Sequence, residues 1–143
     1  MRDAAKVATL LVVTHLAVMS GHGAAHAHLG ITTSLWQSAF ITAVIFVAPL
    51  IGMGLTWTRK HGIGITLLAL SFAGSFIFGL CYHFVLPGRD NVFSTGHTGW
   101  NLGFRITAVA LALLELVGCV WFGRSALHFS QEYRPDRDGF AGS

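Results

Sequence analysis

Residues 36–57 read WQSAFITAVIFVAPLIGMGLTW, with a tryptophan at each end and no charged side chain between them. About 20 apolar residues in an α-helix cross the ~30 Å hydrocarbon core of a bilayer. Indoles settle at the two membrane interfaces, so the spacing of Trp36 and Trp57 predicts one spanning helix. Trp100 and Trp121 repeat that spacing. Two further apolar stretches, about 7–26 and 62–86, complete four spans, the third stopped by Pro87-Gly88. The expected fold is an all-α, polytopic four-helix membrane bundle over residues 1–123, followed by a polar tail over 124–143.

Composition agrees. The chain is 53% hydrophobic and 10% charged, where a soluble domain carries about 25% charged residues. A net charge of +3 does not imply nucleic acid as a partner, because positive charge gathers on the cytoplasmic edge of a membrane protein. Arg2, Lys6, Arg59, Lys60, Arg124, Arg134 and Arg137 fall on one side of the predicted bundle, and Arg89 and Arg105 on the other. The positive-inside rule then places both termini in the cytoplasm of a multi-pass inner (plasma) membrane protein. The tail, rich in Arg, Asp and Gly, reads as a short amphipathic helix followed by a disordered end. Ala25-His26-Ala27 also has the form of a signal-peptidase site, although His15 is out of place in a signal core.

Helices 2 and 4 open alike. Trp36, Phe40 and the run from Ile41 to Val44 are matched by Trp100, Phe104 and the run from Ile106 to Val109, with one residue inserted in the second. Two readings stand: tandem copies of one helical hairpin, or chance similarity in a restricted membrane alphabet. Under duplication His26 and His83 become counterparts.

The chemistry lies in the histidines. His15, Met19, His22 and His26 fall within roughly 60° of one helical face at ~100° per residue. Imidazoles along an apolar helix require a partner. His22 and His26, one turn apart, can share a metal ion. His83 is expected at similar depth on helix 3, and His97 in the following loop with Asp90 nearby in sequence. Neutral imidazoles suit zinc, copper, nickel or haem iron, and Met19 would favour copper(I). Three histidines with an open position make a catalytic or transport site, and four make a closed one. A haem b needs one or two axial ligands, such as His22 and His83. The plan is similar to that of four-helix membrane cytochromes of b type, in architecture and not in motif. Arg105 is expected to snorkel or pair with Asp90, the sharper alternative being a haem propionate or lipid phosphate. No C-x-x-C, H-E-x-x-H or C-x-x-C-H motif is present.

Glu115 is the one acidic residue within a span. It lies ~9 Å from the basic interface, and His15 ~12 Å, so their depths match. A buried His15–Glu115 pair is expected, either as a clasp between helices 1 and 4 or as a step in a proton or cation path. One carboxylate is too few for a di-iron site. Ser71, Ser75 and Gly79 form a small-residue row suited to close helix approach. Cys81 and Cys119 fall near opposite faces, too far apart for a disulfide. His61 and His128 read as polar flanking residues. Three functions follow: a histidine site at the outer face binding a metal ion or haem for metal handling or electron transfer; an accessory subunit of a larger membrane complex or a homo-oligomer; a proton or cation conduit through His15 and Glu115.

Overall fold

The computed structural model describes residues 2–132, with side chains through residue 129. Four helices, α1 (Arg2–Leu29), α2 (Leu35–Thr56), α3 (His61–Val85) and α4 (Gly99–Glu132), account for the fold, with no strand among the described residues. Each is long and apolar enough to cross a membrane. The two ends of the bundle are named here for their residues: the histidine end, and the basic end carrying Arg59 and Lys60.

The bundle follows from two stripes of residues. Buried positions on α1 are Ala5, Ala8, Val12, His15, His22 and Ala25. Those on α4 include Phe104, Ala108, Leu111, Glu115, Gly118 and Phe122. Spacings of three and four keep one face turned inward and suit left-handed packing near +20°. The opposite faces expose Leu10, Val13, Leu70, Ile77 and Leu113, apolar side chains suited to lipid tails. At the basic end Ala8, Val12, Ile65, Leu68, Phe72 and Phe122 form a dense core. A smaller core of Ala25, Val92, Phe104 and Ala108 lies at the histidine end.

α1 runs one turn past the expected stop at His26 and ends where Gly30 takes φ 61°, the left-handed cap that glycine adopts without strain. Ser34 then starts α2 with a capping box to Gln37. α4 also exceeds expectation, continuing unbroken past Trp121 to Glu132 where a separate short tail helix was expected; nothing in residues 122–132 breaks the helix, since Gly123 is the lone poor helix former. Residues 133–143 of the tail lie outside the described part. His61, expected as a polar flanking residue, is buried with Nδ1 2.7 Å from the Thr56 carbonyl, capping the end of α2. Cys81 and Cys119 are both free.

α2 is not a uniform helix. Residues Ile41–Val47 are π-helical, with the Ala48 N–H bonded to the Ala43 carbonyl five residues back. In that register the next donor would serve Val44, but the next residue is Pro49, which has none. Ser71 of α3 makes up the loss by donating its hydroxyl to the Val44 carbonyl at 2.5 Å. Ser71 therefore acts as a hydrogen-bonding strap between helices. Ser71→Ala leaves a part-buried carbonyl unpaired and should lower unfolding free energy in detergent by about 1 kcal/mol; unchanged stability would show that the carbonyl finds another donor.

The small-residue row of α3 is put to other uses as well. Ser75 bonds Glu115 and Gly79 lines a cavity. Close helix approach also occurs at Gly52 and Gly64, where a Cβ on Gly64 would stand 2.7 Å from the Gly52 carbonyl oxygen. In neighbour order, α1 packs on α4, α4 on α3 and α3 on α2, while α1 reaches α2 chiefly through Ala48–Thr56. The two hairpins thus differ: α3 and α4 pack along their length, but α1 and α2 part toward the histidine end. That parting opens the cavity.

Candidate metal centre

The cavity measures about 490 Å³ and is lined by all four helices and both loops at the histidine end. His22, His26, His83 and Asp90 line it, as do Ser75 and Glu115 deeper on α3 and α4.

Three elements bring the imidazoles together. The α1 stripe carries His22 and His26. His83 sits in a π-helical turn, Cys81–Val85, closed by the Leu86 N–H to the Cys81 carbonyl at 2.7 Å. Such a turn re-aims a side chain by widening the helix, and π turns concentrate at functional sites. The loop after Pro87 folds inward on buried Asn91, which donates to Leu86 O and accepts from Phe93 N–H, both at 2.9 Å. Val92 N–H bonds the His83 carbonyl, and the loop thereby delivers Asp90.

The nitrogens converge. His22 Nε2 lies 3.2 Å from His83 Nε2 and 3.1 Å from His26 Nε2. Metal–imidazole bonds of 2.0–2.1 Å in tetrahedral geometry put ligand nitrogens about 3.3 Å apart. Outer partners set the tautomers. His22 Nδ1 is 2.9 Å from Thr107 Oγ1, whose own hydrogen goes to the Gly103 or Phe104 carbonyl, so His22 donates through Nδ1. His83 Nδ1 donates to the Asp90 carbonyl at 3.0 Å. Both Nε2 atoms therefore present lone pairs to one another. A proton on one of these two nitrogens, or a metal ion bound by both, relieves the facing lone pairs. Phe104 stacks on His22, ring centroids 5.0 Å apart, and fixes the ring plane.

Asp90 orients His83 through Nδ1, while its contact with His26 falls on Nε2, the nitrogen a metal ion would take. Its Oδ1 lies 3.1 Å from His26 Nε2 and 3.1 Å from His83 Nδ1. Burial pushes its carboxyl up, but the N–H groups of His26 and His83 outweigh this and hold it well below the usual carboxylate range. Its support is therefore complete above about pH 4 and lost only as pH falls below that. From sequence, the expected neighbours of Asp90 are His97 and Arg105. Its standing as the only acidic residue between Asp3 and Glu115 was the available signal. Thr107 and Ser75 carried no signal, since each is an ordinary small residue of an apolar span.

The other candidates fall elsewhere. His97 pairs with Arg105 through its Nδ1, and the metal-competent set among the described residues is His22, His26 and His83. Arg105 faces this histidine rather than Asp90. His28 is exposed and stacks on Trp100 at 4.5 Å. Deeper, His15 Nε2 lies 3.0 Å from Glu115 Oε1, both residues nearly fully buried. Ser75 donates to the same oxygen.

No family model matches the chain, and neither a curated protein nor a solved structure matches it.

Proposed function

We propose that this is a membrane metal-binding protein that takes a transition-metal cation through His22, His26 and His83 at the mouth of an intramembrane cavity. The observation that carries the reading is the convergence of three Nε2 atoms with two lone pairs already aimed inward. Three imidazoles suit zinc, copper and nickel, and leave a coordination position open. Met19, about one turn below His22 on the same cavity wall, adds a soft donor nearby. The positive-inside rule assigns this mouth to the outer face, so the ion would be captured from outside the cell.

A haem clamped between His22 and His83 does not fit. Axial imidazoles on opposite sides of one iron stand about 4 Å apart, against 3.2 Å here, with ring planes at 79°. Titration of the purified, metal-stripped chain with Zn²⁺, Cu⁺ and Co²⁺ tests the proposal. One tightly held ion per chain, with the absorption of nitrogen-ligated Co²⁺, is expected; a chain that holds none of the three ions sinks it. Asp90→Asn should weaken binding about 10–100-fold, the usual cost of losing a partner that orients a ligand. Affinity equal to wild type would assign Asp90 to the loop fold alone.

A further inference from the structure

The cavity does not end at the histidines. Counting along α1, His15 lies seven residues below His22, ~10 Å. Along α4, Glu115 lies eight residues below Thr107, ~12 Å. Glu115 is 3% exposed, and its Oε1 takes two hydrogen bonds, from His15 and Ser75. Its other oxygen, Oε2, has no hydrogen-bond partner among the described residues, and Glu115 lines the cavity. His15 Nδ1 is likewise unpartnered, packed near Phe72. His15 and Ser75 thus hold the carboxylate still while half of it faces open space. A membrane-buried carboxylate turned to a cavity marks an ion pathway more often than a clasp, which needs both oxygens satisfied.

Gly79 stands between the two sites. A Cβ placed there would lie 3.6 Å from Glu115 Oε2 and 3.9 Å from His83 Cδ2. The absent side chain leaves open the shortest line from the histidine cluster to the carboxylate. The walls between are mainly apolar, including Ile41, Ile45, Phe78 and Leu111, with the weak thioether donor of Met19 and no charged side chain before Glu115.

We propose that Glu115 is a second, transient cation station, loaded from the trihistidine site past Gly79, which makes the cavity an entry path for the metal ion rather than a store. This rests on metal binding at the mouth. One carboxylate oxygen and water bind a divalent cation weakly, as a relay requires: strong enough to enter, weak enough to leave. Beyond Glu115 the path meets the packed layer of Val12, Leu68, Phe72 and Phe122. That layer must part for release, so transfer should be slow and saturable, unlike an open pore.

The test uses the full chain in phosphatidylcholine vesicles loaded with a zinc-sensitive dye, a parallel set holding a pH-sensitive dye, with Zn²⁺ added outside. Wild type should give saturable Zn²⁺ entry above protein-free vesicles. Glu115→Gln and Gly79→Val should each cut entry about tenfold or more, with Zn²⁺ affinity of the trihistidine site in detergent unchanged. Gly79→Val adds its first carbon at ordinary contact distance, 3.6 Å from Glu115 Oε2 and 3.9 Å from His83 Cδ2, and carries the test should Glu115→Gln fail to fold. Zn²⁺ entry that survives both substitutions, absence of entry in wild type, or a response of the pH dye alone would each overturn the relay. Failure of the metal site itself is read separately, from the detergent titration.

Discussion

His22→Ala is expected to abolish tight metal binding, weakening it by more than the ~100-fold that attends loss of an outer partner. His22 is the hub of the cluster: its Nε2 is the one nitrogen within 3.2 Å of both others. Without it, His26 and His83 remain as two ligands, too few to hold a tetrahedral ion against water. A hundredfold loss corresponds to about 2.7 kcal/mol, the scale of one good metal–imidazole bond relative to a bound water. His83→Ala should act similarly, and His28→Ala, on an exposed ring stacked on Trp100, should leave affinity unchanged. Isothermal titration with Zn²⁺ measures all three. Equal affinities across the set would mean that the bound ion sits elsewhere.

Gly64→Ala carries the largest expected loss of stability. The added Cβ would stand 2.7 Å from the Gly52 carbonyl oxygen and 2.8 Å from the Thr56 backbone nitrogen. Both are backbone atoms of α2, so no rotamer change relieves the contact and the helices must separate. Overpacking costs typically 1–3 kcal/mol, and a clash between two backbones belongs at or above ~3 kcal/mol. Separation there would also loosen the Ser71 strap, which joins the same two helices. Gly118→Ala would meet Phe72 Cδ1 at 2.1 Å, but an aromatic ring can shift, so its cost should be smaller. Gly62, with nothing near its Cβ position, serves as the control: Ala there should be neutral or slightly stabilising. Thermal unfolding in detergent ranks the three. A Gly64→Ala protein as stable as Gly62→Ala would show that α2 and α3 approach less closely.

Much of the architecture was written locally. Span lengths, tryptophan spacing and scarce charge specify four long helices because each depends only on neighbours in the chain and on the solvent. The α1 face bearing His15, Met19, His22 and His26 follows from the helical period alone. Matching depths put His15 level with Glu115, and the structure places them 3.0 Å apart. The small-residue row serves close approach and polar bonding together: the Ser71 hydroxyl reaches the Val44 carbonyl of α2, and Ser75 donates to the carboxylate of Glu115.

The sequence by itself determined an all-helical chain with helices able to cross a membrane and an imidazole-bearing face on α1, because periodicity and hydropathy are properties of single helices. Only the tertiary structure decided which histidines meet. His83 joins the cluster through a π-helical turn, Asp90 through an infolded loop, while His97 turns to Arg105. The cavity, the parting of α1 from α2, and the place of Gly79 between the histidines and Glu115 belong to the same category. Each depends on distances between elements far apart in the chain, set by packing and by satisfaction of buried polar groups, which no local pattern encodes.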